Sequence, residues 1–95
     1  MAVLASLATG AIAADIGFLH VNGTFSFIKP PGASSTVAHG INNGGQIVGS
    51  FADSAGTHGF LYAGGIFSTI DVPGSTHTGL EDINDIGQIV GNSDR

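Results

Sequence analysis

The sequence predicts an all-β fold: two tandem four-stranded antiparallel, blade-like repeats that form part of a β-propeller-like array. Three observations support this prediction: a repeat with a period of 42 residues, turn-forming residues at matching places in each copy, and short runs of β-branched and aromatic residues between the turns. At 95 residues the chain is one small domain. Its mean hydropathy of +0.35 and its 9% of charged residues place it outside the disordered class.

The repeat is visible when the chain is aligned with itself. Residues 17–53 lie over residues 59–95 without a gap, and 17 of the 37 paired positions are identical. The run Gln-Ile-Val-Gly at 46–49 recurs at 88–91. We therefore divide the chain into repeat 1 over 17–58 and repeat 2 over 59–95.

The first half of each repeat predicts a hairpin followed by a corner. In repeat 1, strands over 17–21 and 24–28 are joined by Asn22-Gly23, which is the preferred dipeptide of a type I′ turn because both positions need positive φ. Repeat 2 has Gly64-Gly65 at that place. Next come Pro31-Gly32 and Pro73-Gly74, which are typical of type II turns and indicate a change of chain direction.

The second half of each repeat predicts another hairpin. In repeat 1, strands over 36–41 and 46–52 flank the turn 42–45. In repeat 2, residues 84–87 (Asn-Asp-Ile-Gly) indicate a type I turn that closes on a left-handed Gly87, with a bulge at Gln88. Ile47 and Val48 are adjacent apolar residues, so this strand needs cover on both faces. A sheet of four short strands covered on both sides by its neighbours is typical of a propeller blade.

The sequence also resembles a known repeat family. The residues concerned are 59–62 (Gly-Phe-Leu-Tyr), 67–74 (Phe-Ser-Thr-Ile-Asp-Val-Pro-Gly), Ile83-Asn84 and 87–91 (Gly-Gln-Ile-Val-Gly). Together they resemble the HAF family of extracellular repeats, with His58-Gly59-Phe60 at the place of the naming His-Ala-Phe. The resemblance covers both copies. It implies a secreted bacterial protein with several tandem copies, and it carries over no catalytic residue.

The amino-terminal residues 1–14, MAVLASLATGAIAA, form an uninterrupted apolar and small run. The run is shorter than the roughly 20 residues of a membrane-spanning helix, so we expect no stable membrane span. Its length suits a signal peptide, and residues 11–13 (Ala-Ile-Ala) are typical of a cleavage site. These features predict a signal-peptide-like leader and an extracellular or periplasmic location. No Lys or Arg precedes the run, so a start at an internal Met or a buried hydrophobic arm remains an alternative.

Charge and cysteine content exclude further classes. Lys29 and Arg95 stand against seven carboxylates, and the formal net charge is -5. Because binding to a phosphate backbone depends on clustered cations, we expect no nucleic-acid partner. Without cysteine the chain has no disulfide, no thiolate nucleophile and no zinc site built on Cys.

Several polar residues are candidates for chemistry, and each has a structural alternative. The four histidines are spaced by 19 residues, which suggests a metal site, but this spacing is unrelated to the repeat and should scatter them; they are His20, His39, His58 and His77. Residues 82–87 begin like a calcium loop but lack its later ligands, so a hairpin turn is the better interpretation. Asn22-Gly23-Thr24 is a formal glycosylation sequon that the hairpin already explains.

Catalytic arrangements find no support in the sequence. Glu81 and Asp82 are adjacent carboxylates, but neighbours on a strand point to opposite faces unless a bulge intervenes. Ser75, His77 and Asp82 form no recognised nucleophile order. We therefore predict no catalytic residue, no metal ligand and no cofactor.

The function that follows is a non-catalytic extracellular β-repeat module that acts as a scaffold or as a ligand- or surface-binding unit. Its expected partners are a glycan, a matrix component or a protein. The alternative is a scaffold fragment of a secreted enzyme whose active residues lie in missing repeats, and a third possibility is a structural spacer. Because a propeller needs about four to eight blades, two copies predict either further repeats in a longer chain or self-association.

Overall fold

The computed structural model describes residues 15–95, and the leader over 1–14 lies outside the described residues. The described part forms eight strands and no helix, so it holds no helical segment able to cross a membrane. The strands, in chain order, are β1 (Gly17–Val21), β2 (Thr24–Ile28), β3 (Ser35–Ile41), β4 (Ile47–Asp53), β5 (Gly56–Ala63), β6 (Ile66–Ile70), β7 (Thr78–Ile83) and β8 (Ile89–Ser93). Every pair of neighbouring strands is antiparallel. The prediction of an antiparallel all-β chain is confirmed.

The strands form a central four-stranded sheet and two hairpins. The central sheet has the order β3-β4-β5-β6, and β1-β2 and β7-β8 each form a two-stranded sheet. This corrects the expectation of two four-stranded sheets, because the one such sheet in residues 15–95 takes two strands from each repeat. The four-stranded unit is displaced by half a repeat from the division at position 59.

Turn geometry explains this displacement. The Pro31-Gly32 corner closes with a hydrogen bond from Ala33 N to Pro30 O of 3.1 Å, and Gly32 has φ 80°. The chain leaves this corner in a new direction, so β2 and β3 belong to different sheets. Between β4 and β5, in contrast, Asp53 pairs directly with Gly56 across a two-residue turn. That tight hairpin was not predicted, and it joins the two repeats in one sheet.

The other predicted turns are found. Asn22 and Gly23 have φ values of 52° and 83°, as a type I′ turn requires. Gly87 has φ 87°, and its N–H donates to Asn84 O at 3.1 Å. Asn84 N also donates to Gln88 O at 3.0 Å, so Gly87 and Gln88 both lie opposite Asn84, which is the predicted bulge at Gln88. A second bulge was not predicted: the pairing of β7 with β8 shifts between Leu80 and Asp82. The extra residue is therefore Glu81.

Two hydrophobic cores cover the two faces of the central sheet. The first core lies between the β1–β2 hairpin and the sheet, and the second between the sheet and the β7–β8 hairpin. In the first core, Ile28, Ala33, Ile47, Phe51 and Phe60 are buried, with Leu19, Ala38, Tyr62 and Phe67 packed against them. In the second, Val48, Leu80 and Ile83 are buried, with Leu61, Ile70 and Ile89 around them. Ile47 and Val48 thus face opposite cores, which confirms that this strand is covered on both sides.

The two cores use corresponding repeat positions. Four members of the first core have their counterparts, 42 residues later, in the second core; the pairs are Leu19 and Leu61, Ile28 and Ile70, Ala38 and Leu80, and Ile47 and Ile89. Successive hairpins of the same kind therefore pack in the same way.

Corresponding residues also touch one another directly. The Asn43 side-chain nitrogen donates to Asp85 Oδ2 at 2.7 Å, and the Asn43 backbone N–H donates to Asp85 Oδ1 at 2.8 Å. A Cβ placed on Gly40 would lie 3.0 Å from the Cα of Asp82, so the backbones of β3 and β7 meet here. Each of these contacts joins residues that are 42 positions apart. The repeat in sequence is therefore a repeat in space.

Candidate functional site

The four histidines lie in four different environments. His20 stacks on Phe25 on the exposed face of the β1–β2 hairpin, with ring centroids 4.6 Å apart. His77 lies just before β7, where its backbone oxygen accepts from the N–H of Asp94 at 3.0 Å. Among residues 15–95 no three His, Cys, Asp or Glu side chains are grouped as metal ligands. The structure does not bring the histidines together.

His39 faces Glu81 where β3 and β7 approach each other. His39 Nδ1 lies 3.6 Å from Glu81 Oε1, and both side chains are partly exposed. The two residues are repeat counterparts, and each lies at the register shift of its own hairpin. The bulges bring the pair side by side, which the sequence analysis did not foresee. Asp82 Oδ1 accepts from Ile83 N at 2.9 Å, whereas Glu81 Oε1 faces His39, so the two adjacent carboxylates have different partners.

His58 lies between two carboxylates at one end of the central sheet. Its Nδ1 is 2.8 Å from Asp71 Oδ2, and its Nε2 is 3.0 Å from Asp53 Oδ1. Asp71 also accepts from the N–H of Gly59 at 3.3 Å. The cluster ties the β4–β5 turn to the segment that follows β6. Sequence reasoning missed it because the three residues meet only once β4, β5 and β6 are in register.

The electrostatics of this cluster favour a charged imidazole. The hydrogen bond to Asp71, and then the one to Asp53, raise the pKa of His58 above its usual value. The N–H of Ala55, followed by His58, lowers the pKa of Asp53. With both ring nitrogens facing carboxylates, His58 has no free nitrogen with which to accept a proton from a substrate. The arrangement is an ion-pair network that holds three strands together.

The remaining candidates serve as turn and capping groups. Asn84 Oδ1 accepts from Gln88 N at 2.9 Å, which confirms a hairpin turn at the calcium-loop candidate. Ser75 Oγ bonds to Thr78 Oγ1 at 2.7 Å rather than to His77 or Asp82. Asp94 accepts from the N–H and the hydroxyl of Thr76, and the hydroxyl bond lowers the pKa of Asp94.

Two open grooves lie beside the outermost strands. The β1 groove, of about 380 Å³, is lined mainly by β1, β3 and the start of β4; its residues are Phe18, Leu19, Ala38, His39, Gly40, Ile41, Ile47 and Asp82. The β8 groove, of about 570 Å³, lies between the end of β6 and the β7–β8 hairpin, and its walls include Ile70, Leu80, Ile89 and Gly91.

Apolar residues near these grooves are exposed although their repeat counterparts are buried. Phe18 is 56% exposed, whereas Phe60 is fully buried. Val90 is 64% exposed, whereas Val48 is fully buried. Exposed apolar patches of this kind mark interaction surfaces. The outer faces of the two hairpins therefore expose residues of the type that the central sheet buries.

The chain matches no family model, no curated protein and no solved structure.

Proposed function

We propose that this chain is a non-catalytic scaffold module of an extracellular, propeller-like repeat array of the HAF type. One observation carries the proposal: residues 42 positions apart contact each other, as Asn43 contacts Asp85. Such contacts are characteristic of repeat proteins, whose stability comes from each unit packing on the next. The polar clusters support a structural role, because His58, Asp94 and Asn84 all use their side chains to hold turns and strand ends.

The proposal also accounts for the two-faced packing. A propeller blade has neighbours on both faces, and the central sheet has one core on each face. The β1–β2 hairpin corresponds to the second half of such a sheet, and the β7–β8 hairpin corresponds to the first half. Each hairpin is thus half a blade, and its outer face is suited to a further unit of the same kind.

Lengthening the chain tests the scaffold proposal. A copy of residues 54–95 is added after Arg95, and the control carries a scrambled sequence of the same composition and length. If the units form an array, the added copy covers Val90 and raises the urea midpoint in a single transition, since each new interface adds stability. An unchanged midpoint, or a separate transition for the added residues, would contradict the proposal.

The extracellular location is a separate part of the proposal, supported by the leader over 1–14 and by the resemblance to HAF repeats. Fractionation of a bacterial host that produces the full chain, with intact-mass measurement, tests it. We expect the protein outside the cytoplasm and without the leader. Cytoplasmic protein that retains Met1 would contradict this part and would leave the scaffold role standing.

A further inference from the structure

We propose that two copies of this chain pair head to tail, with β8 of one copy alongside β1 of the next, to form a composite four-stranded sheet β7-β8-β1-β2. The inference rests on the proposed function, because it treats each hairpin as half a blade. It goes further by naming the partner, the strand edges and the register.

The central sheet provides the template. The repeat matches β7 and β8 to β3 and β4, and it matches β1 and β2 to β5 and β6. In the central sheet β4 pairs with β5, which makes the order β3-β4-β5-β6. Pairing β8 with β1 of another copy reproduces that order strand for strand. Among residues 15–95, the outer edges of β1 and β8 pair with no other strand. Such open edges readily accept another strand.

The template also fixes the register. In the central sheet Val48 lies opposite Leu61, and Gly49 lies opposite Phe60. Transferred by the repeat, Val90 of one copy lies opposite Leu19 of the next, and Gly91 lies opposite Phe18. A Cβ on Gly49 would overlap Val37 O and would also lie 2.8 Å from the ring of Phe60, so this position leaves space for the ring only as glycine. Gly91 leaves the same space for the ring of Phe18.

The β8 groove fits the phenyl ring that this register brings to it. In the first core Phe60 packs among Ile28, Ile47 and Phe51. The counterparts of those three residues are Ile70, Ile89 and Ser93, and all three line the β8 groove. Phe18 of the next copy takes the place of Phe60 and enters that groove.

The β1 groove receives Val90 in the same way. Val48 lies in the second core with Leu61, Leu80, Ile83 and Ile89 around it. The counterparts of those four residues line the β1 groove; they are Leu19, Ala38, Ile41 and Ile47. One pairing therefore fills both grooves and buries Phe18, Val90 and the half-exposed Ile41.

The charges at the end of the composite sheet balance. The register sets Asp94 of one copy opposite Asp15 of the next, which alone is unfavourable. The same register places Arg95 and Lys29, the chain's two cations, at the positions that Asp53 and Asp71 hold in the central sheet. Two positive and two negative groups then gather where the central sheet has its His58 cluster.

Repeated head-to-tail pairing closes into a ring if the rotation between units allows it. Residues 15–95 of each copy supply eight strands, enough for two four-stranded blades. Since propellers close with about four to eight blades, a ring would contain about two to four copies. The expected mass is therefore two to four times the chain mass of 9.4 kDa.

The test compares the wild-type chain with three variants by light scattering and sedimentation velocity. Val90→Lys alters the β8 side of the interface, and Phe18→Lys alters the β1 side. Ile86→Lys is the matched control, because Ile86 lies in the β7–β8 turn and is 80% exposed. We expect a closed oligomer for the wild type and for Ile86→Lys. We expect about tenfold or more weaker association for the other two variants, because each places a charge in an apolar groove.

Mixing the two weakened variants tests the head-to-tail arrangement. Val90→Lys keeps an intact β1 side and Phe18→Lys keeps an intact β8 side, so the mixture should form a one-to-one dimer that does not grow. Circular dichroism of each variant confirms that the sheets are intact. A folded wild-type monomer would overturn the inference and leave the scaffold proposal standing. Two other results would have the same meaning: equal weakening of association by Ile86→Lys, and no recovery of association when the two weakened variants are mixed. A wild-type chain that is unfolded at every concentration tested would also overturn the inference, and the added-repeat experiment would still test the scaffold proposal.

Discussion

Phe60 and Phe18 occupy the same repeat position, and the first is buried while the second is exposed. Truncating each side chain to Ala therefore measures how much the stacking of units contributes to the free energy of unfolding. Phe60 is fully buried, and its ring centroid lies 5.9 Å from that of Phe67. Phe60→Ala removes this packing and leaves a cavity in the first core, so we expect a loss of about 3–5 kcal/mol in the free energy of unfolding. Phe18 occupies the same position in repeat 1 but is 56% exposed. Phe18→Ala forfeits under half of the burial contribution of a Phe and leaves no enclosed cavity, so we expect about 1 kcal/mol.

The assay is urea unfolding followed by circular dichroism, at a protein concentration where sedimentation shows a monomer. A domain of this size has a total stability of about 5–15 kcal/mol, so at the lower end of that range the loss in Phe60→Ala leaves too little stability to measure. Phe60→Leu then serves as the second variant, since it keeps part of the packing and its loss should fall between the other two. Equal losses for Phe60→Ala and Phe18→Ala would refute the reasoning, because they would mean that the central sheet is not covered at Phe60.

Three further predictions concern single positions. Gly49→Ala should unfold the chain, because the added Cβ would overlap Val37 O, whereas Gly44→Ala in the adjacent turn should be nearly neutral; thermal melts of both variants check this. Ala33→Ser should stabilise the chain by about 1 kcal/mol in urea unfolding, because the buried Thr36 hydroxyl has no hydrogen-bond partner. The new serine would give Thr36 the hydrogen bond that Ser75 makes with Thr78 at the same place in repeat 2. A loss of stability would contradict this prediction. The wild type should lose stability as the pH rises from about 6.5 through the raised pKa of His58, and His58→Gln should abolish this loss. Urea unfolding at several pH values measures both.

The sign of the last prediction follows from the direction of the shift. A His whose pKa is raised in the folded state stabilises the fold fully below its unfolded pKa, and this contribution is lost as the pH rises through the folded pKa. Asp53 and Asp94 have lowered pKa values, so their contributions are present above the unfolded carboxyl pKa and are lost as the pH falls through the folded values. The two effects occupy different pH ranges, so a variant at His58 separates them.

The local structure could be predicted from the sequence because it depends on local chemistry. Asn22-Gly23 and Pro31-Gly32 specify their turns through the φ values that those residues allow, and both turns are found. The adjacent apolar residues Ile47 and Val48 revealed a strand with two covered faces because side chains alternate along a strand.

The grouping of strands into sheets could not be predicted in the same way. The repeat gives the spacing of equivalent strands but not the strand at which each sheet begins (its phase). It therefore does not tell which four consecutive strands share a sheet. The phase is set by the two-residue turn between Asp53 and Gly56, whose sequence Ser-Ala carries no strong turn signal. The His58 cluster and the contact of His39 with Glu81 depend on that grouping and on the bulges, so the candidate residues could be named but not placed.

The most direct test of the stacked repeat is a nuclear Overhauser measurement between residues 42 positions apart. Gly40 and Asp82 approach closely enough for their α-protons to give a cross-peak, and the α-protons of Ile41 and Ile47, which face each other as a non-hydrogen-bonded pair inside the central sheet, give an internal reference. In a sample that mixes labelled and unlabelled chains, the repeat model predicts both cross-peaks within one chain. The Ile41 to Ile47 cross-peak without one from Gly40 to Asp82 would show that the hairpins form but do not stack, and it would contradict the account.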